Sequence, residues 1–472
     1  MQPRYRIIAD LLRQALEVGT LRPGDRMISV RRLAEREGVS LPTAVEALRC
    51  LEADGWIVAR PRSGYFLRGA PMSEPVASQP SPMPLSVTMS ALARSLFSSS
   101  NTALVPLGAA LPDPAWLPSL SLQRSLHAAS RRLGAHGQTY SVPPGRIDLR
   151  RQIALRSAEW GARFGPDDLV TTAGATQALR LALQAVCKPG DIVAVESPAY
   201  FGTLLLLESL GLKALEIPTD PGNGIDLNAL SAAIGHHRLA AVVASPTVQN
   251  PLGACMSIEA KRGLVALLAR TSTPLIEDDV YGDLAGDVRR PPACKAFDET
   301  GNVLYCSSVS KILAPGWRVG WIAAGRFHEK VLQTRLAEDW AGVPVIECAL
   351  ADFLAGGDYD RHLRKLKSRA LGGLRAVTAR VEEMFPAATR VSRPRAGFLL
   401  WIELPSSIDA LSVHRKAQAE RIGVSPGHLF SAQSSFTHHL RLNCANEPTP
   451  RLLRAVDRLG EICRGLDLTD TL

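Results

Sequence analysis

Apolar positions recur at helical spacing near the start of the chain. Ile7, Ile8, Leu11, Leu12, Ala15 and Leu16 punctuate a stretch from Tyr5 to Val18 with polar residues between them, which predicts an amphipathic helix ended by Gly19. Leu21-Arg22-Pro23-Gly24-Asp25 reads as a turn. Ser29 can cap a second helix, Val30 to Glu37, closed by Gly38, and Ser40 a third, Leu41 to Ala53, with Pro42 tolerated in its first turn. Trp56-Ile57-Val58-Ala59 and Tyr65-Phe66-Leu67 flank Arg60-Pro61-Arg62-Ser63-Gly64, the pattern of a β-hairpin with a basic tip. Helix, helix-turn-helix and hairpin together predict a winged helix over residues 1–69.

The pattern then breaks. From Ala70 to Pro106 prolines 71, 75, 80, 82 and 84 alternate with Ser, Ala and Met, followed by Ser98-Ser99-Ser100. Such sequence buries too little to fold by itself and reads as a mobile tether, with a short helix near Val87–Leu96. From Leu107 onward apolar strands and helical patterns alternate, as in an α/β sheet. Residues 107–472 are read as one unit, with a large part over about 130–345 and a smaller α+β part made from the flanking segments. Phe353 to Arg380 reads as a basic helix with a solvated face, and Arg395 to Leu404 as a strand.

Composition sharpens this division. A chain of 472 residues carries a soft prior of about three domains, and 46% hydrophobic residues with a mean hydropathy of +0.04 suit large cores. The net charge of +9 is uneven. Residues 1–68 hold twelve Arg, no Lys and eight acids, an excess of +4 on the segment with the winged-helix pattern, which suits a polyanion. The eight cysteines are scattered, with no Cys-x-x-Cys and no zinc spacing, so no metal is expected and the thiols read as reduced, in a cytoplasmic protein. No signal sequence is read at the start, and runs such as Thr203–Leu207 are too short to span a bilayer.

Candidate chemistry gathers at the ends of predicted strands, where an open α/β sheet binds ligands. After Val303-Leu304-Tyr305 come Ser308, Ser310 and Lys311, then a Pro315-Gly316 turn and Arg318. Alone, Ser-x-Ser-Lys reads as a surface lysine. With Arg318 seven residues on, the lysine can hold an aldehyde as an imine while the hydroxyls and the guanidinium bind a phosphate. Gly174-Ala175-Thr176 opens a helix after a strand, so the N–H groups of Ala175 and Thr176 can take an anion; an ordinary N-cap is the plainer alternative. Asp278 and Tyr281 end another strand, Asn250 stands in Asn-Pro-Leu-Gly, and Tyr200 lies on a loop after the strand Asp191–Val195.

Two resemblances bear on these residues. Leu21-Arg22-Pro23-Gly24-Asp25, Ser29-Val30-Arg31-Arg32-Leu33-Ala34, Leu51-Glu52 and Gly64-Tyr65-Phe66 resemble the GntR family of DNA-binding domains. The resemblance implies contacts to duplex DNA from Arg31, Arg32, Arg49, Arg60 and Arg62, mostly to phosphates, with Ser40 capping the recognition helix; Thr43 and Glu46, on that helix's outward face, can meet base edges. It departs at Ile28, where the family has Pro, and at Leu41, where the family has an Arg that can reach a guanine edge.

Residues from Leu107 to Arg464 resemble the class I aminotransferases that use pyridoxal 5'-phosphate, a type I fold with a mostly parallel central sheet. The resemblance implies the cofactor on Lys311, Asp278 under its ring nitrogen, and Asn250 and Tyr281 on its ring oxygen. It also implies Tyr200 against the ring, and Ala175, Thr176, Ser308, Ser310 and Arg318 about the phosphate. Tyr140, in Tyr140-Ser141-Val142-Pro143-Pro144-Gly145, reaches across a dimer in that family, and Arg441 matches its carboxylate-binding arginine.

Both halves joined resemble the MocR subfamily of bacterial regulators. That implies a homodimeric transcription factor, with domain swapping left open, that senses an amino compound by aldimine exchange at Lys311. Two alternatives stay open: an active aminotransferase with an accessory DNA-binding module, and a sensor of pyridoxal phosphate itself.

Overall fold

The computed structural model describes residues 3–17, 24–60, 63–68, 72–97, 104–286, 290–433 and 435–467. The first body is built from α1 (Arg4–Glu17), α2 (Val30–Glu37), α3 (Leu41–Ala53) and the hairpin β1 (Ile57–Arg60) and β2 (Gly64–Leu67). Its core joins Ile8, Leu12 and Leu16 of α1 to Leu33, Leu48 and Leu51. Ile7 and Leu11, counted with that face in the sequence, are instead 45% and 53% exposed. The capping serines act as expected: Ser29 Oγ accepts the Arg32 N–H at 3.4 Å and Ser40 Oγ the Thr43 N–H at 3.4 Å. The hairpin is antiparallel, pairing Ile57 with Leu67 and Arg60 with Gly64. Val18, Gly19, Leu21–Pro23 and the tip residues Pro61 and Arg62 lie outside the described residues.

The chain continues through β3 (Leu85–Ser86), α4 (Ser90–Phe97), β4 (Val105–Pro106), α5 (Ser119–Leu133), α6 (Ile147–Ala158), β5 (Leu169–Thr172) and α7 (Ala175–Val186). Next come β6 (Ile192–Ser197), α8 (Phe201–Ser209), β7 (Lys213–Asp220), β8 (Gly224–Ile225), α9 (Leu227–His236), β9 (Leu239–Ala244), α10 (Ile258–Arg270) and β10 (Leu275–Asp278). β11 (Val303–Ser308), β12 (Gly320–Ala323), α11 (His328–Glu338) and α12 (Pro344–Ala355) complete this part. The central sheet has nine strands, in the order β3-β7-β6-β9-β10-β11-β12-β5 with β8 beside β7. β7, β6, β9, β10 and β11 run parallel, whereas β12 is antiparallel to both its neighbours. The parallel strands are covered on both faces, which is why β6 and β9 read as nearly unbroken apolar runs.

The last part comprises α13 (Asp358–Met384), β13 (Arg390–Val391), β14 (Leu399–Glu403), α14 (Ala410–Ala419), β15 (Ile422–Gly423), β16 (Ser425–Pro426), β17 (His439–Asn443) and α15 (Pro450–Asp467). Its antiparallel sheet runs β13-β14-β17-β16, and β4 pairs with β15, bringing the segment after α4 into this smaller body. Two expectations change here. The basic helix is broken at Gly356-Gly357 into α12 and α13, and the strand begins at Leu399, leaving Arg393–Phe398 as a loop.

The segment read as a mobile tether is packed onto the fold over residues 72–97. β3 pairs antiparallel with β7, and Val87, Met89 and Ala93 are buried in the core of the large body. The Glu208 carboxylate accepts the N–H groups of Met89 and Ser90, both at 2.7 Å, and the Ser90 hydroxyl at 2.8 Å. Proline and serine counts masked a short apolar pattern that these contacts bury.

Candidate cofactor and effector site

The site lies at the carboxyl ends of β10 and β11, against the start of α7. β10 and β11 are parallel neighbours with Asp278 opposite Cys306, so Asp278 and the Ser308–Lys311 turn leave the sheet side by side. Arg318 has a left-handed backbone, φ 52°, which returns its side chain toward the start of α7. Its Nη1 donates to Ser310 Oγ at 3.2 Å and its Nη2 to the Ala173 carbonyl at 2.8 Å. Gly174 makes this approach feasible: at φ 94°, a Cβ there would lie 2.4 Å from Arg318 Nη2. Ser310, Arg318 and the first turn of α7 with Ala175 and Thr176 thus come together at a helix start, an arrangement that can take an anion.

Lys311 donates from Nζ to the Ala110 carbonyl at 2.9 Å. Loss of hydration lowers its pKa to about 8, helped by the cations Arg441 and Arg318 and opposed by Asp278. Burial pushes Asp278 up to about 7, with the neighbouring Asp279 acting the same way and Lys311 the other way. Tyr281 and Tyr200 are likewise raised by burial. The Tyr281 ring meets Phe398 edge-on, centroids 5.5 Å apart. Tyr200 lies against the backbone of Gly202, where a Cβ would come within 2.4 Å of the ring.

Arg441 is 2% exposed and carries no ion pair among the described residues. Its Nη1 donates to Asn250 Oδ1 at 3.2 Å, and its Nη2 to Ser425 Oγ at 3.1 Å and to the Gly108 carbonyl. Its charge is disfavoured chiefly by burial. Three buried polar atoms here find no hydrogen-bond partner: Asp278 Oδ1, Tyr281 Oη and Arg441 Nε. An acceptor, a hydroxyl and a guanidinium edge left open in one enclosure fit a heteroaromatic ring with a basic nitrogen and a ring oxygen, and a carboxylate beyond it.

The structure therefore brings Ser310, Arg318, Lys311, Asp278, Asn250, Tyr281, Tyr200 and Arg441 into one neighbourhood. Ser308 contributes its hydroxyl to the Ser310 N–H at 3.3 Å, shaping the turn. Tyr140 stands apart: it is 76% exposed, beside the exposed Val142, Trp340 and Val343. Its loop is anchored by Glu347, which sequence reading missed. That buried carboxylate accepts Ser141 Oγ at 2.6 Å, Thr171 Oγ1 at 2.7 Å and the Arg146 N–H at 3.1 Å. Its only signal was an acid within the apolar run Pro344–Ala355. The carbonyls of Gly108 and Ala110 were missed as well, because backbone acceptors leave no mark in a sequence.

On the winged helix, Arg31, Arg32, Arg49 and Arg60 are exposed. Two base-reading candidates are already engaged: Thr43 Oγ1 lies 2.8 Å from Ser40 Oγ, and Glu46 pairs with Arg49 at 3.6 Å. Arg60 covers the Phe66 ring at 4.4 Å. No described helix is long and apolar enough to cross a membrane.

Comparison with known proteins agrees with both halves. Residues 4–67 match the bacterial regulatory proteins of the gntR family, and residues 117–459 match aminotransferase class I and II. The HTH-type transcriptional regulator YjiR of Escherichia coli (strain K12) is 38% identical over 97% of this chain and 98% of its own length. YdcR of the same organism, also an HTH-type transcriptional regulator, is 36% identical over 97% and 98%. Among solved structures, the α-aminoadipate aminotransferase LysN of Thermus thermophilus, complexed with N-(5'-phosphopyridoxyl)-L-leucine, matches with a TM-score of 0.74 and 25% identity over 81% of this chain and 97% of that one. The kynurenine aminotransferase of Pyrococcus horikoshii, in complex with PMP, gives 0.73 and 25% over 80% and 95%. The chain belongs to the MocR subfamily of GntR-type regulators, in which a winged helix-turn-helix is joined to a type I aminotransferase fold that takes pyridoxal 5'-phosphate.

Proposed function

We propose that this protein is a pyridoxal-phosphate-dependent transcriptional regulator that senses an α- or ω-amino acid, or a close derivative, at Lys311 and Arg441. The observation that carries the reading is Arg441: a buried guanidinium, held by neutral acceptors and with no carboxylate partner among the described residues, in the same enclosure as an amine poised near neutrality. A ligand that serves both groups carries an amino group and a carboxylate.

When bound, pyridoxal phosphate supplies an aldehyde carbon for amine exchange and a ring that withdraws electrons. The chain's own residues divide the remaining work. Arg318, Ser308, Ser310 and the N–H groups of Ala175 and Thr176 hold the phosphate. Asp278, with its pKa raised to about 7, holds a proton at the open Oδ1 or gives it to a basic nitrogen placed there. Asn250 offers its amide and Tyr281 its hydroxyl to the ring oxygen, and Tyr200 lends a flat face. Lys311 Nζ loses its proton at about pH 8, so a sizeable neutral fraction is present near neutrality. With the cofactor in place, Lys311 would be the amine that an incoming amino acid replaces, and Arg441 would fix that ligand's carboxylate. The winged helix binds operator DNA through Arg31, Arg32, Arg49 and Arg60, and the ligand shifts the balance between dispositions of that domain. Exposed Tyr140, with Val142, Trp340 and Val343, supplies the face for a second subunit.

The test is titration of the loaded protein with amino acids while following cofactor absorbance and binding to a genomic duplex fragment it retains. A spectral change and a change in DNA affinity at the same ligand concentration support the reading. A spectral change with no effect on DNA binding overturns it. A second reading, an active aminotransferase, is favoured by the lowered Lys311 pKa, which suits an acid–base as well as a covalent role. Rapid turnover of an amino acid with a keto acid would establish it.

A further inference from the structure

The loop Arg393–Phe398 touches the candidate site on one side and the winged helix on the other. It joins β13 to β14, and its neck is closed by Ser392, whose N–H donates to the Trp401 carbonyl at 2.8 Å and whose Oγ accepts the Trp401 N–H at 3.0 Å. Toward the site, Pro394 lies directly on Gly253 of the Asn250-Pro-Leu-Gly turn: a Cβ on Gly253 would fall 2.5 Å from the Pro394 Cβ. Gly397 meets Val248 as closely, a Cβ there falling 2.5 Å from Val248 Cγ1. Phe398 stacks edge-on against Tyr281, and its carbonyl accepts the Cys444 N–H at 2.8 Å, three residues beyond Arg441. The loop therefore rests on the supports of Asn250, Tyr281 and Arg441, three of the groups assigned above to the cofactor ring and the amino acid.

Toward the winged helix, the same loop carries two arginines. Arg395 reaches Asp54 at 3.8 Å. Arg393 lies over Gly55, where a Cβ would sit 2.4 Å from its Nη1, so the absence of a side chain makes the docking spot. Arg393 also pairs with Glu382 of α13, an acid only 8% exposed, which in turn pairs with Arg68 of the winged helix at 2.6 Å. Arg68 Nη2 further donates to the Ala379 carbonyl at 2.8 Å. Asp54, Gly55 and Arg68 flank the base of the hairpin β1–β2, so this docking leaves Arg60 and the start of α3 exposed.

We propose that Arg393–Phe398 is the coupling element that converts occupancy of the cofactor and amino-acid site into a change in how the winged helix is held. The inference rests on the regulator reading above and adds the route. Contacts between backbone and side chain with no Cβ between them have little slack in a close-packed interior, so a shift of the Asn250 turn or of Tyr281 is passed to Pro394 and Phe398. At the far end, one nearly buried carboxylate bridges two guanidinium groups. Arg393 and Glu382 are only 10% and 8% exposed, so parting them leaves two charges largely out of water, which favours discrete held and released arrangements of the latch.

The test uses the full chain with pyridoxal phosphate as the probe and hydrogen–deuterium exchange read by mass spectrometry. In the wild type, loading the cofactor is expected to change exchange both in residues 393–398 and around Cys50–Arg60. In Arg393→Ala, cofactor absorbance and the change within 393–398 persist, while the response around Cys50–Arg60 shrinks about fivefold or more, the lower end of coupling between linked sites. Glu382→Gln, nearly isosteric, is expected to behave alike and carries the test should Arg393→Ala fail to fold. A wild-type winged helix indifferent to loading, or one whose response survives in the folded variants, overturns the proposal. Failure of the regulator reading looks different: amino acids then leave wild-type DNA affinity unchanged even where cofactor loading still alters the winged helix through this loop.

Discussion

Replacing Arg441 by Met removes the guanidinium while keeping an unbranched side chain of related length. Asn250 Oδ1, Ser425 Oγ and the Gly108 carbonyl each lose a charged donor, and each such bond is worth about 1.5–3 kcal/mol. Against this, a buried cation that has no carboxylate partner among the described residues disappears, so the folded chain should lose little stability. The ligand-bound state loses far more. Truncating one partner of a buried, hydrogen-bonded charge pair costs about 2–5 kcal/mol, or roughly 30-fold to several thousand-fold in affinity. The assay is cofactor absorbance titrated with an amino acid series and, in parallel, with n-alkylamines of matched length. Wild type should prefer amino acids by about a hundredfold, within that range. Arg441→Met should erase the preference, chiefly by weakening amino acids, while the spectrum without ligand is unchanged. A wild-type protein that responds equally to alkylamines, or a variant that keeps its preference, refutes the role given to Arg441.

Borohydride reduction of the loaded chain followed by peptide mapping should place the pyridoxyl group on Lys311; a label on Lys261 or Lys295 contradicts the site. Asp278 keeps its proton in the folded cofactor-free chain up to about pH 7, against an ordinary value of 3.8. The folded state thus binds more protons across that window, and stability falls as pH rises through it. Asp278→Asn should remove this loss, so its advantage in urea midpoint over the cofactor-free wild type should grow from pH 4 to pH 8, by roughly 4 kcal/mol at most, while its hold on the cofactor weakens. Equal midpoint differences at both pH values would show that Asp278 does not titrate there. Arg31→Ala should weaken binding to all duplexes alike and reduce the salt slope by about one unit; a loss confined to one sequence would make Arg31 a base reader instead.

The local elements were legible because their signals are local. Capping serines, helix-stopping glycines and the periodicity of α2 and α3 identified the winged helix, and unbroken apolar runs marked strands covered on both faces. Asp278, Lys311 and Asn250 could be singled out because short motifs around them resemble those of the class I aminotransferases and stand at or beyond strand ends, where an open α/β sheet binds ligands. Ser310, Arg318 and Gly174, which the structure brings together, were legible as neighbours of one proposed phosphate site because they lie within short motifs.

What only the tertiary structure decided is how distant segments complete one another. The guanidinium of Arg441 is held by groups from Gly108, Asn250 and Ser425, separated from it by 333, 191 and 16 positions, and no periodicity records such a meeting. Composition misread residues 72–97 because a proline and serine count averages over Val87, Met89 and Ala93, whose burial depends on a sheet formed later in the chain. Glu347 and Glu382 look like ordinary helix acids in sequence, yet each is enclosed and satisfied by partners from other elements. A helix or strand is set by neighbours a few residues away, whereas the worth of a buried charge is set by whichever atoms the fold brings within hydrogen-bonding distance.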